Sequence, residues 1–127
     1  MNVPDRAQAP DVSLRIDVVS LFPETITAAL AASIPARAIE RGLASLISHD
    51  LRTWGIGRHR VVDDAPYGGG AGMLLRPEPL VAAIEALRGP ESTVILLDAG
   101  GERLRPERGR DLAARRHLVI VCGRYEG

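Results

Sequence analysis

Two short glycine-bearing stretches, Asp98-Ala99-Gly100-Gly101 and Cys122-Gly123-Arg124-Tyr125-Glu126-Gly127, each follow an unbroken apolar run. Small residues just after buried strands let a flat ligand approach two neighbouring backbone turns, although ordinary tight turns use the same residues. A third stretch, Pro66-Tyr67-Gly68-Gly69-Gly70-Ala71-Gly72-Met73, offers successive backbone N–H groups as a nest for phosphate or as a platform for a base, with Tyr67 able to stack. A flexible linker has the same composition. Ahead of it, Arg58-His59-Arg60 concentrates positive charge and the pair Asp63-Asp64 follows at once. Arginine for phosphate with aspartate for base edges is one coherent reading, and a solvated charge run is the other. His59, standing alone, reads as an orienting or structural donor, and Cys122, beside an apolar run, as a small buried hydrophobe.

These residues need elements to hold them. Residues 1–13 mix Pro, Asp, Gln and Ala without periodicity and suit a loose extension. Leu14 to Leu21 is a β-rich run that Phe22-Pro23-Glu24 turns into a helix. Residues 24 to 41 are helical in composition and are interrupted at Pro35, which predicts two short helices, with Ser33 capping the second and Gly42 stopping it. Leu43 to Leu51 has a spacing shared by strand and helix, and its place after a helix stop favours a strand. Residues 52 to 72 hold six glycines and no sustained apolar period, so a long functional loop is expected there.

Further on, Pro77 to Leu87 predicts an amphipathic helix with Leu80, Val81, Ile84 and Leu87 on its apolar face. Val94 to Leu97 and Leu118 to Val121 read as central parallel strands covered on both faces. Pro106 to Arg115 between them suits a crossover helix. The order predicts an α/β fold, a mainly parallel sheet with flanking helices, whose ligands bind where the strands end at their carboxyl edge.

Length and composition bound the function. At 127 residues the chain supports one domain, and its 46% hydrophobic and 25% charged content is that of a globular protein. Neither a secretory pattern nor an apolar run of membrane-spanning length is present in the sequence, and a lone cysteine leaves no intrachain disulfide, so a reducing cytoplasm and no membrane partner are expected. Sixteen basic residues balance sixteen acidic ones, so any nucleic-acid contact must rest on local patches, such as the six Arg and three acids of Glu102 to His117. All sixteen are Arg, which excludes Schiff-base chemistry and the lysine of Walker A loops. No G-x-G-x-x-G opens a helix after a strand, so a Rossmann dehydrogenase is disfavoured.

Taken together, IDVVSLFPE (Ile16 to Glu24), ARAIERGL (Ala36 to Leu43), RHRVVDDAPYGGGAGM (Arg58 to Met73) and VCGRYEG (Val121 to Gly127) resemble the bacterial tRNA (guanine-N1)-methyltransferases, SPOUT-class enzymes with a trefoil knot. The resemblance implies an S-adenosylmethionine-dependent homodimer that methylates N1 of the guanosine immediately 3′ of the anticodon of tRNA, with no role for DNA. It places Leu96, Leu97, Ala99, Gly101, Gly123, Tyr125 and Glu126 at the methyl donor. It places Tyr67, Gly68, Gly69 and Gly70 near the target base, and Arg58, His59, Asp63 and Asp64 against tRNA or the neighbouring subunit. Glu126 is given a supporting catalytic role, with magnesium as a candidate ion, because the family's general base lies downstream of the GRYEG motif.

The resemblance also sets expectations about extent and affinity. Residues 14–127 would be the N-terminal part of the methyltransferase domain, with an incomplete knot and little activity in isolation. Asp98-Ala99-Gly100-Gly101 stands where the family more often has a Ser/Thr-Pro-x-Gly turn, which implies a less rigid pocket wall. A non-catalytic RNA-binding or dimer-partner module is the rival reading, separable by salt-dependent tRNA binding without donor binding. A small nucleotide-binding domain ranks below both.

Overall fold

The structure, a computed structural model, describes residues 14–65, 68–69 and 73–123. In chain order its elements are β1 (Leu14–Ser20), α1 (Pro23–Ala29), α2 (Ser33–Glu40), β2 (Ala44–Asp50), a 3-10 turn (Leu51–Trp54), β3 (Asp63–Asp64), β4 (Leu74–Leu75), α3 (Pro77–Leu87), β5 (Ser92–Leu97), α4 (Pro106–Ala113) and β6 (His117–Cys122). Four of the strands form one sheet in the order β2-β1-β6-β5, and every neighbouring pair in it is parallel. The α/β fold with a mainly parallel sheet is therefore what the chain adopts. β3 and β4 form a separate two-stranded antiparallel ribbon.

Side chains alternate across a strand, so one face of β1 carries Asp17 and Val19 and the other carries Ile16 and Val18. On the first face Val19 and Leu51 form a core with Leu21, Val62 and Ala83 of α3, and Trp54, Leu75, Leu80 and Leu87 close its margin. α1 and α2 pack along β2. Ser48, pointing away from the face of its neighbour His49, donates from Oγ to the carbonyl of Pro23 at 3.0 Å and ties α1 to the second face.

Several local expectations are corrected. The break between the first two helices falls at residues 30–32. Pro35 lies inside the first turn of α2, where a missing N–H costs nothing because the helix has no acceptor for it. Ser33 is not the cap. Ala32 occupies that position, no side chain caps the helix, and Ser33 itself adopts a left-handed φ of 59°. Gly42 does stop α2. With φ 73° it donates its N–H to Ile39 O while Leu43 N–H reaches Ala38 O, a Schellman closure.

Residues 52–64 are less of a loop than their composition suggests, because the 3-10 turn, a bridge between Ile56 and Val61, and the β3 strand organise them. α3 buries Pro79 and Ala83 and leaves Val81 51% exposed, so its inner face is rotated from the one the leucine spacing predicts. β6 is central as expected. β5 is an edge strand, with Val94, Leu96 and Leu97 exposed, because no further described strand pairs with it.

Candidate functional site at the carboxyl ends of the strands

The parallel register fixes which loops meet. Leu97 of β5 lies beside Cys122 of β6, so the turn after β5 and the residue Gly123 after β6 emerge side by side at one edge of the sheet. β1 is the next strand over, and its Ser20, Leu21 and Phe22 continue that edge into α1. Between these ends lies a cleft of about 180 Å³, lined by Ser20, Leu21, Phe22, Thr25, Ile26, Cys122 and Gly123. Ligand pockets usually hold several hundred cubic ångströms, so this is a subsite that takes one end of a ligand.

Its walls are fixed by backbone-directed bonds. Phe22 N–H donates to Ser20 Oγ at 3.2 Å, turning the chain sharply out of β1. Arg52 Nη1 donates to the carbonyl of Leu21 at 3.0 Å and pins the same corner from the far side. Burial pushes the Cys122 thiol up, which keeps it a neutral, small wall group. At Gly123 an added Cβ would stand 3.2 Å from Leu75 Cδ1, so the absence of a side chain lets β4 close on the end of β6.

The turn after β5 shows how the chain compensates for lacking a proline. Asp98 Oδ2 accepts the N–H of Gly100 at 3.1 Å, and its main-chain carbonyl accepts the N–H of Gly101 at 3.0 Å. The side chain thus closes an Asx turn and stiffens the wall that the residue types alone suggest is looser. Ala99 and Gly101 belong to this turn, and Leu96 and Leu97 lead into it with 61% and 53% of their surfaces exposed.

Because Leu75 adjoins Gly123 and pairs with Asp63, the β3–β4 ribbon carries the base of the glycine loop to the same cleft. Gly68 and Gly69 have φ values of 82° and 88° and open surroundings, a left-handed pair that glycine adopts without penalty. Asp64 is held in place, its Oδ2 accepting from Arg76 Nη2 at 3.1 Å and its Oδ1 from the N–H of Ala65 at 2.8 Å. Asp63 is half-buried on the ribbon.

Arg58 and His59 sit at the tip of a tight turn closed by paired bonds between Ile56 and Val61, and both are exposed. The turn forces Arg60 to φ 53° and packs Gly55 so closely on the Arg60 backbone that a Cβ would overlap it. Of the residues the motifs single out, the structure gathers Leu97, Gly123 and the turn containing Ala99 and Gly101 at one sheet edge. Tyr67, Gly70, Tyr125 and Glu126 lie outside the described residues. Among the described residues no group of three or more His, Cys, Asp or Glu could hold a metal ion, and no helix is long and apolar enough to cross a membrane.

The Arg-rich segment 102–117 is partly self-neutralised. Arg108 pairs with Glu102 at 3.1 Å and with Asp111 at 3.5 Å, and Arg115 pairs with Asp111 at 3.2 Å. Residue types alone also miss a second polar cluster. Asp17, wholly buried, accepts from His49 Nε2 at 2.7 Å and from His117 Nε2 at 2.6 Å, with Arg15 Nε 3.2 Å away. The signal was present as one carboxylate inside the apolar run of β1, a position that has to find partners.

Residues 14–127 match the family model described as tRNA (Guanine-1)-methyltransferase TrmD. A Geobacter sulfurreducens protein named tRNA (guanine-N(1)-)-methyltransferase is 47% identical over 116 residues, covering 90% of this chain and 47% of its own length. Proteins of the same name from Myxococcus xanthus and Thermus thermophilus are 48% identical over 117 residues and 46% over 114, covering 88% and 90% of this chain and 47% of each relative. The chain spans about half the length of the curated relatives it matches.

Proposed function

This chain belongs to the tRNA (guanine-1)-methyltransferase family, and from that premise we propose that it forms the donor-binding half of a site that methylates N1 of the guanosine immediately 3′ of the anticodon of tRNA. The observation that carries the reading is the convergence on Gly123 of the β5 turn, the end of β6 and Leu75 from the glycine-loop ribbon. A glycine there leaves backbone N–H and C=O groups open to a flat heterocycle, and the leucines of β5 supply an apolar floor.

The cleft residues fit one end of S-adenosylmethionine, which when bound supplies a sulfonium-activated methyl group. Gly123 presents backbone polar groups to it, the turn with Ala99 and Gly101 stands beside the cleft, and Phe22 with Ile26 excludes water from the apolar side. Gly68 and Gly69, between β3 and β4 in the chain, would approach the target base with Tyr67 and Gly70 of the same motif. Arg58 and His59, exposed at a rigid tip, suit the tRNA backbone or a second subunit, with Asp63 and Asp64 anchoring the ribbon behind them. Tyr125 and Glu126 complete the donor side by motif. Magnesium gains no support from the described residues and enters no step.

Guanine N1 must lose its proton for methylation, and negative charge then develops on O6. The residues that line the described cleft include no carboxylate, and we assign proton removal, as the resemblance implies, to a residue downstream of the GRYEG motif in the relatives. The working unit is a cytoplasmic homodimer in this reading, supported by the exposed Leu96 and Leu97 at the open β5 edge.

The test is equilibrium dialysis of the 127-residue protein against labelled S-adenosylmethionine, with tRNA methylation measured in parallel. Expected are donor binding that is lost in Gly123→Val and methyl transfer no higher than background. Salt-dependent tRNA binding without donor binding would replace this reading with the RNA-binding module. Robust turnover would show that these residues hold a complete site.

A further inference from the structure

The opposite edge of the sheet carries a larger cleft. At the amino ends of β1, β5 and β6 an open cleft of about 420 Å³ is lined by Arg15, Arg116, His117, Ser92, Glu91 and the Gly89 turn. β6 takes five residue steps from His117 to Cys122, so this cleft stands roughly 17 Å from the carboxyl-end site. The geometry points to a binding site for a tetrahedral oxoanion of the phosphate or sulfate class, held by the guanidiniums of Arg15 and Arg116 against a wall that His117 and Ser92 fix. This inference does not depend on the methyl-transfer reading.

The hydrogen-bond chain fixes one wall. His117 Nε2 meets Asp17 Oδ2 at 2.6 Å and its Nδ1 meets Ser92 Oγ at 2.5 Å, while Gly89 N–H donates to Ser92 Oγ at 2.7 Å. These groups are spent on one another, which leaves the two arginines to meet the ligand.

The other walls suit the same ligand. Arg116 meets Glu91 at 3.7 Å with both side chains more than half exposed, a loose pair that an anion can displace. Arg15 Nε is buried 3.2 Å from Asp17 Oδ2 yet makes no well-aligned hydrogen bond. The charged groups around the His117 ring are Asp17 and Arg15 from β1, His49 from β2 beyond Asp17, and Glu91 and Arg116 from the turns before β5 and β6. A bound oxoanion would face two guanidiniums against one displaceable carboxylate.

The experiment is calorimetric titration of the 127-residue protein with sodium sulfate at constant ionic strength. Expected is one site, which Arg116→Gln weakens about tenfold without moving the thermal midpoint and Glu91→Gln tightens. Absence of binding overturns the site, and binding indifferent to Arg116→Gln means an adventitious ion only. Single-stranded RNA that displaces sulfate in an Arg116-dependent manner identifies a backbone phosphate as the ligand, whereas RNA that leaves sulfate bound identifies a free oxoanion.

Discussion

Asp17 Oδ2 and His117 Nε2 stand 2.6 Å apart on adjacent strands, and their contact is the middle link of a polar chain that crosses the whole sheet. His49 of β2, Asp17 of β1, His117 of β6 and Ser92 of β5 follow one another in strand order. A carboxylate with no exposed surface is tolerated because two imidazole N–H groups and a guanidinium surround it.

Removing that carboxylate should cost more than removing any one of its partners. Asp17→Ala leaves two ring N–H groups without an acceptor and the Arg15 guanidinium without its counter-charge, and a loss of about 3–5 kcal/mol is expected. Asp17→Asn keeps one acceptor oxygen and should cost about 1–3 kcal/mol. Urea unfolding of both variants checks the order, and equal losses would mean that volume rather than charge is what the site requires.

Acid should dismantle the same cluster. Burial alone would raise the Asp17 pKa, but hydrogen bonds from His49 and His117 and the charge of Arg15 outweigh it and hold the group below its ordinary 3.8. The folded value is therefore the lower one, so the stabilisation is fully present above about pH 4 and is lost as pH falls through and below 3.8. Stability measured across that range should slope downward toward acid in the parent chain and less steeply in Asp17→Asn.

Gly55 tests the rigid tip that presents Arg58 and His59. A Cβ there overlaps the Arg60 backbone, and Arg60 is already at φ 53° with no freedom to retreat. Gly55→Ala should cost about 1–3 kcal/mol, whereas Gly57→Ala, in open space at φ 72°, should cost about 1 kcal/mol from the backbone alone. Chemical denaturation of the pair separates steric overlap from conformational preference.

Asp98 tests the turn of the candidate donor wall. With Asp98→Ala the N–H of Gly100 loses its side-chain acceptor, and its hydrogen exchange should quicken about fivefold while amides in β6 are unchanged. Unchanged exchange at Gly100 would show that the loop backbone holds the turn unaided.

Much of this architecture could be read from the chain. The unbroken apolar run of β6 marked a central parallel strand, and Gly42 marked the end of α2, because burial on both faces and a left-handed stop each select few residue types. β5 has the same apolar character yet lies at the edge, since strand composition reports burial potential and not sheet order. Pro35 misled because a proline in a first helical turn and a proline that breaks a helix look alike until the start is known. At the site, glycines identified the loops after β5 and β6, while Ser20, Phe22, Thr25 and Ile26 gave no signal of their own. Ser20 and Phe22 entered only as part of the IDVVSLFPE motif, and the pairing of β1 with β6 is what sets all four beside Gly123.

Trp54 is the only tryptophan in the chain, and its ring centroid lies 6.1 Å from that of His49 at a tilt of 54°. Its emission therefore reports whether the β2 end of the polar chain keeps its packing, read in the unmodified protein without a label or a substitution.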